Sequence, residues 1–315
     1  MASVLVSVVI PAYNHGEFIA DTLRSVVNQS TNFRFEILVG DDGSTDETPR
    51  IVRDYADKYP GVVVPVLRKT NVGGQRNLND LYLMARGEFI AVLDGDDLMC
   101  PERLQEQVNF FKRHPECGSV FHDMEVVEDG RVVGRFCQDL DGGLYGMDDL
   151  VQKGTFVPHS SKMFRRFLLP KEGFPVYENL RGLDWLHHLI TANGFSVGYI
   201  PQVLGWYRKH PDSNTRSVKK GNLLPYYYGQ KVALDYASEA GIKSGPLSAG
   251  FRRIYIDNIR RALRFSDFDA YSAMLSDISK NDVGFGARDS LVFLWGGKWS
   301  VIFWVRSCLF RVKNS

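Results

Sequence analysis

The sequence predicts an α/β protein with a mainly parallel sheet and a helical C-terminal extension. Three observations predict it. Short β-branched runs alternate with helix-patterned segments through the first third of the chain, as in successive βαβ units. Three of those runs end in polar clusters: Tyr13-Asn14, Asp41-Asp42 and Asp94-Gly95-Asp96-Asp97. From about Leu224 onward strand signals fade, and Tyr, Ala, Arg and helix formers dominate.

The elements follow in order. Val4–Ile10 reads as a buried parallel strand closed by Pro11. Residues 17–29 place Phe18, Ile19, Leu23, Val26 and Val27 at helical spacing. Glu36–Gly40 is a second strand. A helix opens at Thr45-Asp46-Glu47-Thr48, with Ser44 or Thr45 as N-cap, and runs to about Tyr59. Val62–Leu67 is a third strand. Residues 74–85 form a helix terminated by Gly87, and Phe89–Leu93 is a fourth strand. Ser119–Val127 and Val132–Phe136 read as strands joined by a turn at Glu128-Asp129-Gly130-Arg131. Asp184–Ala192 reads as a helix. Ser196–Ile200 and Val203–Tyr207 read as short strands around Pro201. The expected domains are 1–220, which holds the α/β pattern, and 221–315, a helical extension.

Composition narrows the function. The 315 residues carry a formal net charge of +1, with 44% hydrophobic and 24% charged residues. That balance belongs to a folded globular chain and gives no reason to expect a nucleic-acid partner. Cys100, Cys117, Cys137 and Cys308 form no Cys-x-x-Cys pair or disulfide framework, which points to a reducing, cytoplasmic setting. The N-terminus lacks a basic region and a cleavage-site pattern, so no signal peptide is expected. Neither a G-x-x-x-x-G-K-[ST] loop nor a post-strand G-x-G-x-x-G is present.

In a parallel sheet, ligands bind beyond the carboxyl ends of the strands. The polar clusters should therefore converge on one cleft. Closely spaced carboxylates such as Asp94, Asp96 and Asp97 repel unless a cation holds them. Mg2+ or Mn2+ takes one or two carboxylates together with substrate phosphate oxygens. A solvated acidic turn is the competing reading of an isolated Asp-x-Asp. Asp41-Asp42 can accept hydrogen bonds from a base or ribose, or serve as a capping cluster before Ser44-Thr45.

Four motifs carry a family resemblance. They are Val8-Val9-Ile10-Pro11-Ala12-Tyr13-Asn14, Asp41-Asp42-Gly43-Ser44-Thr45-Asp46, Asn71-Val72-Gly73-Gly74-Gln75-Arg76-Asn77, and Arg86-Gly87-Glu88 running on to Asp94-Gly95-Asp96-Asp97. In order and spacing they resemble the family 2 glycosyltransferases, which have a GT-A fold, invert the anomeric centre and use nucleotide sugars. The resemblance covers residues 6–104 and continues more weakly to about 216. It implies that Pro11, Ala12, Tyr13 and Asn14 line the nucleotide pocket, with Glu17 nearby. Asp42 would contact the base and Arg76 the nucleoside. Asp94 and Gly95 would face the ribose or donor sugar. Asp96 would ligate a divalent metal, Mn2+ or Mg2+.

The same resemblance makes Asp184, in Arg181-Gly182-Leu183-Asp184-Trp185, the general base. Leu183 stands where the family commonly has Glu. In Trp206-Tyr207-Arg208-Lys209-His210 the resemblance makes His210 a second metal ligand. Arg208 and Arg216 are available for phosphate. A surface loop is the plainer reading of that segment, as a helix N-cap is for Asp184. His187-His188 reads as helix surface, and strand alternation accounts for His122-Asp123-x-Glu125.

The expected reaction moves a sugar from a nucleotide-diphosphate donor, a UDP-sugar foremost, to a saccharide or lipid-linked acceptor, in surface polysaccharide or glycoconjugate assembly. A nucleotidyltransferase and a non-catalytic nucleotide-sugar-binding protein are the alternatives. The nucleotidyltransferase pattern usually puts a basic, Gly-rich loop after the first strand, and Pro11–Gly16 has no such basic residue. Residues 291–313 hold Trp295, Trp299 and Trp304, with only basic charges at Lys298, Arg306, Arg311 and Lys313. Gly296-Gly297 and Lys298 interrupt the stretch, which suits interfacial contact at the cytoplasmic membrane face better than a span. Packing of this segment on the protein is the alternative.

Overall fold

The computed structural model describes residues 3–137, 140–154, 157–210 and 223–280. The chain divides into two compact units. The first holds residues up to Met147, with Thr155–Glu178 and Ile190–His210. The second holds Asp148–Gly154, Asn179–Leu189 and the C-terminal part.

The first unit is an α/β layer structure. Its strands are β1 (Val6–Ala12), β2 (Phe35–Asp41), β3 (Val63–Leu67), β4 (Phe89–Val92), β5 (Leu98–Met99), β6 (Cys117–Glu128), β7 (Arg131–Arg135), β8 (Gly143–Tyr145), β9 (Met163–Arg165) and β10 (Ser196–Lys209). Their order is β3-β2-β1-β4-β9-β6-β10-β5, with β7 on β6 and β8 on β10. β1 pairs in parallel with both β2 and β4. β9 is antiparallel to β4 and to β6.

Helices α1 (Ile19–Val27), α2 (Thr48–Lys58), α3 (Gly74–Met84) and α4 (Arg103–Arg113) cover the sheet. Alternate residues of β1 explain why both faces are buried. Val6, Val8 and Ile10 pack with Ile19, Leu23, Val52, Leu104 and Val108. Val9 points the other way, into a cluster with Leu78, Leu81, Tyr82, Ile90 and Phe164. Each such fully buried aliphatic side chain contributes about 1.5–3 kcal/mol.

A buried polar knot ties β1, β2 and β4 at their starts. Ser7 Oγ donates to Glu36 Oε1 at 2.6 Å, and the Gly87 amide donates to Ser7 Oγ at 2.8 Å. Arg86 donates to Glu36 from its amide at 3.0 Å and from Nε at 2.8 Å. Burial pushes the Glu36 carboxyl up, but these bonds outweigh it and leave the pKa below the ordinary value.

Most sequence-based elements are present, with instructive differences. β1 continues through Pro11 to Ala12, because the Pro11 carbonyl still accepts the Gly95 amide at 3.2 Å. α2 starts at Thr48 rather than Thr45, since Ser44 and Thr45 bond Asn14 instead of capping the helix. α3 ends at the extended Ala85, before Gly87. Gly87 instead lets the backbones of β1 and β4 approach closely. A Cβ there would lie 2.6 Å from the Ser7 nitrogen and 2.8 Å from the Phe89 oxygen. The expected pair of strands around Pro201 is one strand, β10, whose pairing with β6 shifts register on either side of the proline. The hairpin turn has Asp129 at φ 50° and Gly130 at φ 73°, as a two-residue type I′ turn requires. α4, β5, β8 and β9 were not among the sequence-based expectations.

The second unit contains α5 (Met147–Lys153) from Asp148 on and the start of α6 (Asp184–Ala192). It also contains α7 (Leu223–Glu239), α8 (Ser244–Arg264) and α9 (Phe268–Lys280). Asp277 of α9 accepts from Lys231 Nζ at 2.7 Å, from Tyr255 Oη at 3.2 Å and from Tyr227 Oη, linking three helices. His187 and His188 are buried, not on the helix surface, because α6 turns that face inward with Leu186 and Leu189. Among the described residues, no helix is long and apolar enough to cross a membrane. Arg216 and the aromatic segment 291–313 lie outside the described residues.

Candidate active site

In the first unit, the carboxyl ends of β1, β2 and β4 converge as their parallel pairing dictates. The loop after β1 is laced to the loop after β2. Asn14, at φ 53°, receives a 2.9 Å bond from the Thr45 amide at its Oδ1, and its own amide donates to Ser44 Oγ at 2.8 Å. The Gly16 amide donates to Asp46 Oδ2 at 2.7 Å, and the Thr48 amide to Asp46 Oδ1 at 2.9 Å. Partial burial raises the Asp46 pKa, but these bonds outweigh it and leave it low. Ala12 is buried and Pro11 partly so. Tyr13 is 45% exposed, leaving its ring face available for stacking.

Asp42 is buried at the end of β2. Its Oδ1 accepts the Val72 amide at 2.8 Å and its Oδ2 the Gly73 amide at 3.0 Å. The carboxylate thus fixes the loop that opens α3, and each oxygen keeps acceptor capacity for a further donor. Gly73 sits at φ 92°, a conformation that favours glycine. Arg76 follows on the first turn of α3 and is exposed, as is Glu17 before α1.

The acidic turn after β4 is built to close tolerances. The Asp94 amide donates to Ser160 Oγ at 2.8 Å, and Thr22 Oγ1 donates to the Gly95 carbonyl at 3.0 Å. A Cβ on Gly95 would come within 2.5 Å of His15 Nδ1 and 3.0 Å of the Pro11 oxygen, so β1 and β4 approach too closely for another residue. Asp96 Oδ2 lies 2.9 Å from His210 Nε2, both side chains being largely shielded. The His210 ring packs on Phe18 at 4.6 Å, and the Arg208 guanidinium lies over the same ring at 5.5 Å. Arg208 also reaches Asp21 at 3.3 Å.

Asp97 is fully buried, and its Oδ1 accepts the Arg208 amide at 2.9 Å. Burial, reinforced by Asp96 and Asp94, pushes its carboxyl well above the ordinary range. Behind it Arg103 is fully buried, with Nη2 donating to the Val92 carbonyl at 2.7 Å. Burial lowers the Arg103 pKa to about 9, against the pull of Asp97 and Asp94, so it stays cationic at neutral pH. Burial also lowers the His15 pKa, with Asp96 pulling the other way.

Asp96 and His210 are an oxygen and a nitrogen donor at a spacing one small cation can bridge. Among the described residues, no third His, Cys, Asp or Glu completes a protein-only metal shell. That fits Mg2+ or Mn2+, which keep open positions for phosphate oxygens and water.

Asp184 belongs to the second unit, where it is exposed at the first position of α6. Gly182, at φ 69°, lets the chain pass the Tyr226 ring. Trp185 is buried, with Nε1 donating to the Leu150 carbonyl at 3.0 Å, which fixes the start of the helix.

Arg103, Ser160 and Phe18 were not predicted as site residues. Phe18 carries only a helical-core pattern in the sequence. An arginine six residues after the acidic run is the signal that could have found Arg103.

Glycosyl transferase family 2 matches residues 7–173, more than half of the chain. A Mycobacterium tuberculosis protein of uncharacterised function is 35% identical over 210 residues, 65% of this chain and 58% of its own length. The Bacillus spizizenii poly(ribitol-phosphate) beta-glucosyltransferase is 40% identical over 111 residues, 35% of this chain and 17% of its own length. Among solved structures, S. aureus TarS 1–349 in complex with UDP-GlcNAc aligns with a TM-score of 0.71 at 20% identity. That alignment covers 98% of this chain and 89% of TarS 1–349. The Pyrobaculum calidifontis mannosyltransferase PcManGT, with GDP-Man and Mn2+, aligns at 0.53 and 19% identity, covering 98% and 86%. The fold is therefore the GT-A fold, and the chain belongs to glycosyl transferase family 2.

Proposed function

We propose that this protein is an inverting glycosyltransferase that moves a sugar from a nucleotide-diphosphate donor to a saccharide or lipid-linked acceptor. The observation that carries the reading is the Asp96–His210 pair, 2.9 Å apart, at the same sheet edge as the Asp42-fixed loop. In this reading Tyr13 stacks on the base and Asp42 accepts a donor hydrogen from it. Pro11, Ala12 and Asn14 shape the pocket wall, with Glu17 nearby, and Arg76 lies beside the nucleoside. Asp94 and Gly95 face the ribose or donor sugar.

Asp96 and His210 hold the divalent cation, which when bound neutralises charge on the departing nucleoside diphosphate. Arg103, cationic behind the acidic turn, keeps the carboxylates compatible with one another before the cation binds. Asp184 takes the proton from the acceptor hydroxyl. The acceptor oxygen then bonds to the anomeric carbon as the bond to the diphosphate oxygen breaks, in one inverting displacement. A UDP-sugar donor is the leading choice, since TarS is a neighbour in complex with UDP-GlcNAc, although another neighbour holds GDP-Man.

The test is nucleoside diphosphate release from a panel of UDP-, GDP- and dTDP-sugars, with and without Mn2+ or Mg2+. Metal-dependent release from one donor class, lost in Asp96→Ala, is the expected result. Nucleotide-sugar binding with no release, whatever saccharide or lipid-phosphate acceptor is added, would point to a binding protein instead.

A further inference from the structure

α8 carries Arg252, Arg253, Arg260, Arg261 and Arg264 against one carboxylate, Asp257. Arg253, Arg260 and Arg264 recur at i, i+7 and i+11, so they share one face of the helix. Arg260 and Arg264 are exposed, whereas Arg253 and Arg261 are partly buried. Among the described residues these four make no ion pair with a carboxylate within 4.0 Å.

Two of these arginines are held against the segment that bears Asp184. The Arg253 guanidinium lies 4.9 Å over the ring of Trp185, and its Nε donates to the Gln152 carbonyl at 3.1 Å. It covers Gly154, where a side chain would collide with it. Its Nη2 is buried with no hydrogen-bond partner among the described residues. The Arg261 guanidinium lies 5.0 Å over Tyr226, the ring that packs on Gly182. The exposed Arg260 and Arg264 present planar forks that match a bidentate oxyanion, beside Arg253 and Arg261, whose guanidinium planes are held by ring contact.

We infer that the Arg253–Arg260–Arg261–Arg264 face binds phosphate on the acceptor, so the acceptor is an anionic, phosphate-bearing glycan or lipid-linked saccharide. This rests on the transferase reading and on Asp184 as its base. Lysines would supply charge alone, but the planar fork of arginine matches phosphate geometry. A phosphodiester polymer and a lipid diphosphate present the same oxyanion.

The experiment uses the full chain with UDP and Mn2+ in excess, so that the donor site is filled. Three probes are compared: a soluble oligo(glycerol phosphate), neutral phosphatidylcholine vesicles carrying a polyprenyl diphosphate, and an uncharged oligosaccharide. The oligo(glycerol phosphate) or the vesicles should bind at least about tenfold more tightly than the uncharged sugar, and binding should weaken with added salt. Whichever of the two binds identifies the source of the phosphate.

The exposed double substitution Arg260→Gln/Arg264→Gln should weaken that binding by about tenfold, with UDP-sugar hydrolysis unchanged. Arg253→Lys, which keeps the charge and loses the fork, should also weaken it. Equal binding of all three probes, or no change in the double variant, overturns the inference. A protein that turns over nucleotide sugars but ignores both phosphate probes loses only this inference. One that binds a phosphate probe but no nucleotide sugar loses the transferase reading and the acceptor assignment together.

Discussion

His210 Nε2 lies 2.9 Å from Asp96 Oδ2, although 114 residues separate them in the chain. If the two share a cation, each should set the metal requirement. Asp96→Ala should lower kcat/KM by about a hundredfold or more. His210→Ala should leave activity that needs about tenfold or more additional Mn2+. A Mn2+ titration of nucleoside diphosphate release reads both. An unchanged half-saturating Mn2+ concentration in His210→Ala would remove that residue from the metal site.

Asp184 should separate chemistry from binding. Asp184→Asn keeps the size of an exposed side chain, so the fold should be unaffected. Transfer to the acceptor should fall by about a hundredfold to ten-thousandfold in kcat, with nucleotide-sugar affinity retained. Single-turnover rates beside equilibrium donor binding make the comparison. Near-normal transfer would mean that another group takes the proton.

Asp42 should matter to order as well as to recognition. Both oxygens accept loop amides, at 2.8 Å from Val72 and 3.0 Å from Gly73. Asp42→Asn turns an NH2 toward one of those N–H groups, which should cost about 1–3 kcal/mol. Thermal denaturation without ligand should show the loss, and UDP affinity should fall with it. A variant of wild-type stability with weakened UDP binding would confine Asp42 to base contact.

The βαβ half of the molecule was legible because local pattern and tertiary role agree there. Val8 and Ile10 on one face and Val9 on the other make the continuous apolar run of a strand buried on both sides. The middle of the chain was less so. β9 is three residues long and gains its place only by pairing with β4 and β6. β10 crosses Pro201 through register shifts, which period-two reading interprets as a break. Among the candidate site residues, Asp42, Asp94, Asp96 and His210 were singled out by motif. Phe18 did not, because an aromatic at the start of an amphipathic helix looks like core whether it supports a histidine or not. His187-His188 misled for the converse reason, since polarity there marks buried residues.

Gly87 gives a stability test remote from the chemistry. A Cβ there meets backbone atoms of β1 and β4 that cannot rotate away, at 2.6 Å from the Ser7 nitrogen and 2.8 Å from the Val6 carbonyl carbon. Gly87→Ala should cost about 1–3 kcal/mol in denaturant unfolding. A neutral result would mean that β1 and β4 can separate slightly at no cost.

Glu36 predicts an acid limb. Its folded pKa is lowered, so the stability it contributes is present above the ordinary glutamate range and is lost as pH falls through the folded value. Glu36→Gln should be less stable than wild type at neutral pH. The difference should shrink on acidification until both proteins behave alike. Melting temperatures measured from neutral pH downward test this. Parallel curves would assign the stabilisation to packing rather than to charge.

The long span between Asp96 and His210 also bears on synthesis. Asn14, Asp42 and Arg76 all sit on elements complete by the end of α3, and Asp94 to Asp97 follow directly after β4. Their partners in the β1 and β2 loops lie about thirty residues apart, close enough to join as each βαβ unit emerges from the ribosome. The residue opposite Asp96 arrives only with the end of β10. A nascent chain therefore completes its β1 and β2 loops well before Asp96 can meet His210, a contact that waits on the slow, non-local pairing of β10 with β6.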